Sequence, residues 1–288
     1  MSKIITHNGT AHLDEITAIA ALHIASPDLK NIPILRTRDI SEKQLNDKKT
    51  IIVDVGSRYE PQKLNFDHHQ NESPVRNLYE PYAAAGLIWK AFGVHICRKF
   101  VNNKLAKKVS NEIDSKIIKF IDLIDSQGTD YNAVKDPKQL AKISGIGTFI
   151  SMSVKDDKTF LKAIQMMENY LIETIKETEK RIIFSEELLK NPPDTPFLEI
   201  SEEGYYWKKP LKFYPKVKYV FFKRKKDNTW AGQTVTSKKL FPTSWYGKTN
   251  KDLENTTGVK GSVFCHKTGF YAVAKTKEQI TSLIKKSL

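Results

Sequence analysis

The chain has 288 residues, 40% of them hydrophobic and 10% aromatic, enough to build a sizeable core and to form two domains. No apolar stretch is long enough for a membrane-spanning helix, so a membrane partner is not expected. The formal net charge of +14 favours polyanions over neutral small molecules as partners, without naming the polyanion.

Only Cys97 and Cys265 are present, too few and too far apart for a disulfide framework. A reducing cytoplasm is therefore the expected setting. Met1-Ser2-Lys3 leads almost directly into a strand, so we expect no signal or transit peptide.

Ile4-Ile5-Thr6 reads as a short buried strand ending at His7. A turn at Gly9 leads to a helix over 14–25. Ile16, Ile19, Ala20, Leu22 and Ile24 make that helix apolar around most of its circumference, as for one packed between a sheet and its neighbours. Asp14 and Glu15 fall in its first turn, where the helix dipole favours negative charge. Residues 32–35 can form a second strand. Ile51-Ile52-Val53 is a β-branched run ending at Asp54, the pattern of a parallel strand covered on both faces. Leu64-Asn65-Phe66 then runs into Asp67-His68-His69.

A helix is expected over 83–92, closed by Gly93. Residues 103–125 are largely helical, with Asp122 and Asp125 three apart on one face. Acidic residues at a helix C-terminus oppose its dipole, which calls for a functional explanation. A long helix over 155–189 is stopped by Asn191-Pro192-Pro193. Beyond it come short strands at 197–201, 217–222, 229–235, 262–266 and 269–274, then a helix over 277–287.

The expected architecture is α/β: a mostly parallel N-terminal sheet with flanking helices over 1–130, a helical connector over 131–193, and a smaller C-terminal α+β domain over 194–288. In open α/β sheets, ligands bind outside the carboxyl ends of strands. His7, Asp54 and His68 would then converge on one crevice. Imidazoles and carboxylates together suit a transition-metal pair such as Mn²⁺. Two ions about 3.5–4 Å apart can share a hydroxide that attacks phosphorus. Asp54 is suited to bridge them. His7 and His12 could serve one ion, and Asp14, His68 and Asp125 the other. Taken alone, Asp54 is explained as a turn or cap residue and Asp14 by the helix dipole. The adjacent imidazoles of His68 and His69 are harder to bury without partners.

The positive excess is uneven. Basic residues are dense over 208–226, at Lys238 and Lys239, and over 275–286. A catalytic half beside a basic half suits a phosphodiesterase acting on a polymer. Trp207, Trp230 and Trp245 interleave with lysines; they could stack on bases, although core packing explains at least two of them better.

Several motifs taken together resemble the MYG family of the DHH phosphoesterase superfamily. They are residues 6–15 (THNGTAHLDE), Asp54-Val55-Gly56, Phe66-Asp67-His68-His69-Gln70, Ala85-Gly86-Leu87-Ile88-Trp89 and Ile121-Asp122-Leu123-Ile124-Asp125. The stretches 240–245 and 258–270 are similar to that family too. The resemblance implies a DHH-type fold and a manganese-dependent 3′–5′ exonuclease acting on single-stranded RNA or oligonucleotides, with Mg²⁺ or Zn²⁺ as alternative ions. It implies metal ligands among His7, His12, Asp14, Asp54, His68 and either Asp122 or Asp125, with Asp125 favoured. His69 would contact the scissile phosphate or its leaving oxygen, and Asp67 would orient the imidazoles. His266, between Gly261 and Gly269, resembles a substrate-phosphate loop, with Lys238 and Lys239 as further phosphate contacts. A strand-end histidine between turn glycines explains His266 equally well. Two other readings stay open: hydrolysis of a small nucleotide or phosphoanhydride, and a non-catalytic nucleic-acid-binding protein. The oligomeric state is open, a dimer included.

Overall fold

β-branched side chains lose little on entering a pleated sheet, and the N-terminal runs of Ile and Val do form strands. In the computed structural model, which describes residues 1–77, 80–128 and 136–288, β1 (Lys3–Thr6) is followed by α1 (Leu13–Ala25), β2 (Ile34–Arg36) and α2 (Glu42–Leu45). β3 (Thr50–Val53), β4 (Tyr59–Glu60) and β5 (Asn65–Phe66) complete a five-stranded sheet in the order β2-β1-β3-β5-β4. All its pairings are parallel except β4 with β5. One face packs Ile5 and Ile52 against Leu45 and Val55. α1 contacts β3 and packs most extensively against α3 (Ala84–Arg98), which in turn contacts β5. Between β5 and α3 the chain forms a small hairpin of β6 (Val75–Asn77) and β7 (Glu80–Pro81).

α3 does not stop at Gly93. The helix continues to Arg98, and Gly93 serves close packing instead: a Cβ there would lie 2.7 Å from Ser110 Oγ and 2.8 Å from Trp89 Nε1. The helix expected over 103–125 is α4 (Asn103–Ile113) and α5 (Lys119–Gln127), joined by a π turn over Asp114–Ile118. α6 (Pro137–Ser153) and the long α7 (Asp157–Lys190) follow.

The chain parts into two compact units, Met1–Glu179 and Lys180–Leu288. This division falls within α7, which ends just before Asn191-Pro192-Pro193. The boundary expected at 130/131 lies outside the described residues.

The second unit is a five-stranded sheet in the order β11-β12-β10-β9-β8: β8 (Phe197–Glu199), β9 (Tyr219–Lys223), β10 (Trp230–Thr234), β11 (Ser262–Cys265) and β12 (Tyr271–Ala274). Its pairings are antiparallel except β8 with β9. Side chains alternate across β9. Tyr219 and Phe221 pack with Phe241, Trp245 and the Ile280, Leu283 and Ile284 stripe of a C-terminal helix (Lys277–Ser287). Val220 and Phe222 face Trp207, Tyr206 and Leu211. A further helix over Asn250–Thr257, too polar to show an apolar stripe in the sequence, precedes β11. No described helix is long and apolar enough to cross a membrane.

Candidate metal centre

β1, β3 and β5 are neighbouring parallel strands, and their carboxyl ends carry His7, Asp54 and the 67–69 triplet. Asp54 leaves β3 with φ of 57°, and Gly56 and Ser57 also have positive φ. This is an uncommon backbone for a residue with a Cβ, tolerated best by Asp and Asn. Asp67 Oδ2 holds the turn by accepting the Ser57 N–H at 2.5 Å. The result aims the Asp54 carboxylate two ways: Oδ1 lies 3.2 Å from His68 Nε2, and Oδ2 lies 3.4 Å from His7 Nε2.

His7 Nδ1 sits 3.0 Å from the Asn8 carbonyl, so Nδ1 carries a proton and Nε2 faces the carboxylates. His68 Nε2 is also 3.1 Å from Asp125 Oδ2. His12, half-exposed, places its ring centroid 5.1 Å from that of His7 and its Nδ1 3.8 Å from Asp125 Oδ1.

The electrostatics match this packing. Burial works against charge on His7, yet Asp54 and Glu15 raise its pKa to about 10. Burial likewise opposes charge on His68, but Asp125 and Asp54 raise it to about 11. Asp54 is driven down to about 2 against the effect of burial, because His68 and His7 flank it. Asp14 is pushed well up by burial and by the nearby Asp54 and Asp125 charges. Protons held between carboxylates on ligand atoms are what a divalent cation replaces when it binds.

Whether an ion fits is decided by the donors. His7 Nε2, Asp54 Oδ1 and His68 Nε2 are buried and make no hydrogen bond among the described residues. They meet their neighbours only as ion pairs, His68 Nε2 with Asp54 Oδ1 at 3.2 Å and His7 Nε2 with Glu15 Oε1 and Asp54 Oδ2 at 3.4 Å. Buried imidazoles and carboxylates thus gather here short of hydrogen bonds, a donor set that suits a cation. The 3.4 Å contacts of His7 Nε2 match the spacing of donors held about 2.1 Å from one ion. The donor atoms of His7, His12, Glu15 and Asp54 lie within 4.8 Å of one another, and so do those of Asp14, Asp54, His68 and Asp125. Asp54, Asp67, His68 and His69 form a third such group. Asp54 is common to all three.

Asp14 also does structural work. Its two oxygens accept the Ala84 and Ala85 N–H groups at 2.9 and 2.8 Å, satisfying donors that the first turn of α3 leaves unpaired. Asp122 accepts the next one, Gly86 N–H, at 2.9 Å. Position 86 must be glycine because a Cβ would fall 2.0 Å from Asp122 Oδ2. Arg76 binds Asp122 and also Asp114, at 2.6 and 3.2 Å. Burial raises the Asp122 pKa to about 7 even though Arg76 opposes this. The structure thus sends Asp122 to the α3 N-terminus and brings Asp125 to the cluster.

Asp67 accepts the His68 N–H at 2.8 Å and binds His69 Nδ1 at 2.7 Å. It therefore orients His69 through its ring and His68 through the backbone. That bond to Asp67 raises the His69 pKa, and the His69 side chain stays 51% exposed.

Glu15 and Arg76 are the residues that sequence reasoning passed over. Glu15 had a local signal, standing three residues after the N-cap His12. Arg76 had none, since its partners lie 38 and 46 residues away.

In the second unit, His266 occupies the β11–β12 turn. Its Nδ1 accepts the Thr268 N–H at 3.2 Å, leaving Nε2 as a donor. Lys238 is exposed, while Lys239 reaches the Leu288 carbonyl at 3.4 Å. Trp207 and Trp245 are core residues, and Trp230 packs partly buried in the same unit.

A parallel sheet whose strand ends gather buried imidazoles and carboxylates short of hydrogen bonds defines an α/β protein with a candidate divalent-metal centre. The sequence model of the family described as "Uncharacterised protein family (UPF0160)", short name MYG1_exonuc, matches residues 3–288, and the chain belongs to this family. It is 28% identical to the MYG1 protein of Dictyostelium discoideum, over 96% of this chain and 93% of that one. It is 27% identical to a MYG1 protein of Schizosaccharomyces pombe, over 99% and 97%. It is 25% identical to the MYG1 exonuclease of Rattus norvegicus, over 99% and 84%. The crystal structure of RecJ from Thermus thermophilus in complex with Mn²⁺ aligns with 99% of this chain and about half (51%) of its own, at 12% identity. Its TM-score of 0.29 is too low to establish a shared fold.

Proposed function

We propose that this protein is a metal-dependent phosphodiesterase, acting as a 3′–5′ exonuclease on RNA or short oligonucleotides in the cytoplasm. The observation that carries the reading is the convergence of His7 Nε2, Asp54 Oδ1 and His68 Nε2, buried and without hydrogen bonds among the described residues. Relatives named MYG1 exonuclease support the reaction class, and two buried free cysteines suit a reducing compartment.

Two divalent ions, Mn²⁺ before Mg²⁺ or Zn²⁺, would be held by His7, His12 and Asp54 at one position and by Asp14, Asp54, His68 and Asp125 at the other. Such ions supply Lewis acidity toward a phosphoryl group. The chain's own groups do the rest. Asp54 reaches both positions because its two oxygens face opposite sides. Asp67 fixes the His69 ring through Nδ1, so the exposed edge of His69 offers a proton to the leaving oxygen. Asp14 locks the start of α3 and so holds its own carboxylate in place. His266 Nε2, Lys238 and Lys239 contact substrate phosphates. The catalytic role is assigned to the domain expected over 1–130 and substrate binding to the domain expected over 194–288.

The test is cleavage of 5′-labelled single-stranded RNA in Mn²⁺, wild type beside Asp54→Ala and His68→Ala. A ladder shortening from the 3′ end is expected. Each variant should lose on the order of 10²- to 10³-fold in rate, the equivalent of several kcal/mol. Intact RNA with metal-loaded wild type would refute the exonuclease reading and turn attention to dinucleotides and phosphoanhydrides.

A further inference from the structure

We infer that Glu15 is a metal ligand, completing with His7, His12 and Asp54 a donor set of two nitrogens and two oxygens. The inference rests on the metal-centre reading above and extends it.

As a helix-capping residue, Glu15 is already explained: its carboxylate accepts the His12 N–H at 2.9 and 3.0 Å. What capping does not explain is its burial. A capping carboxylate at a helix start ordinarily turns its remaining lone pairs to water. Glu15 is 0% exposed, and the one N–H it accepts among the described residues is that of His12. Facing its Oε1 at 3.4 Å is His7 Nε2, itself buried and without a hydrogen bond. A buried carboxylate and a buried imidazole nitrogen meet here as an ion pair that falls short of a hydrogen bond. Their donor atoms, with those of His12 and Asp54, lie within 4.8 Å of one another, close enough to share one ion.

Charge leads to the same assignment. His7 and His12 bring no negative charge, and Asp54 would be shared with an ion that also has Asp14 and Asp125. Without Glu15, the His7 position would face a divalent ion with only a shared carboxylate. With Glu15, each position has at least one carboxylate of its own. The two positions then differ in chemistry. The two-imidazole set favours Mn²⁺ or Zn²⁺ over Mg²⁺, and the Asp14, Asp54, His68, Asp125 set is harder and accepts Mg²⁺ more readily.

The test is calorimetric titration of the metal-free, full-length protein with Mn²⁺, with thermal unfolding as a check on folding. Wild type should take up two ions per chain. Glu15→Gln keeps the shape and an acceptor for the His12 N–H, so the cap survives. It should keep one ion at wild-type affinity and bind the other at least about tenfold more weakly. Asp54→Asn should weaken both. If Glu15→Gln does not fold, Glu15→Asp withdraws the carboxylate by one methylene and should weaken one ion alone. Two ions at wild-type affinity in whichever Glu15 variant folds, with binding lost in Asp54→Asn, would overturn the assignment while leaving the metal centre standing. Wild type that takes up no Mn²⁺ would overturn both.

Discussion

The strand ends of the first unit and the sheet of the second bury opposite kinds of side chain. Around β1, β3 and β5 the interior takes in His7, Asp14, Glu15, Asp54, Asp67 and Asp122. Within the second unit the buried residues are aromatic and aliphatic, and the buried polar ones are Thr234, Thr257, Ser262 and Ser287. Those hydroxyls fit any well-packed core, and three of them donate to nearby backbone carbonyls. The carboxylates and imidazoles of the first unit are costly to bury and partly unsatisfied, at a turn where Asp54 adopts positive φ. The lesson is that the second sheet is built for stability, whereas the strand ends of the first are built to meet something charged.

Two substitutions would break or sharpen this contrast. The larger effect is expected in the second unit. Trp207 is fully buried, and its Nε1 donates to the Gly204 carbonyl at 2.8 Å. Trp207→Ala should cost about 3–5 kcal/mol of stability, read by urea unfolding, and leave the Mn²⁺ stoichiometry unchanged. A lowered stoichiometry in the folded variant would show that the two regions are not independent. The smaller effect is expected at the site. His69→Ala removes a half-exposed ring, so stability should change little. The rate of RNA cleavage should fall on the order of 10²-fold with Mn²⁺ affinity unchanged. Weakened Mn²⁺ binding instead would make His69 a ligand and redraw the site.

Much of this arrangement was legible in the residues. The runs Ile4-Ile5 and Ile51-Ile52-Val53 announce parallel strands, and the polar residues after them mark the strand ends where His7, Asp54 and His68 meet. What stayed hidden depends on contacts between distant segments. Gly93 looks like a helix stop until Ser110 is seen packed against it. Asp122 and Asp125 share a helix, and the sequence leaves the ligand open between them, with Asp125 favoured. Only the folded chain shows Asp122 engaged with Gly86 and Arg76 and leaves Asp125 beside His68. Glu15 satisfied two local rules, dipole and cap, and those rules masked its burial beside His7. Periodicity reports which face of an element is apolar; it does not report which buried carboxylates meet.

The central claim is that the strand-end cluster of the first unit is a two-ion metal centre. Crystals grown with Mn²⁺ and measured at the manganese absorption edge test it most directly. The account predicts two anomalous peaks, one among His7, His12, Glu15 and Asp54 and one among Asp14, Asp54, His68 and Asp125. A map with no peak there, and with His7 and His68 still paired only to the surrounding carboxylates, would contradict it.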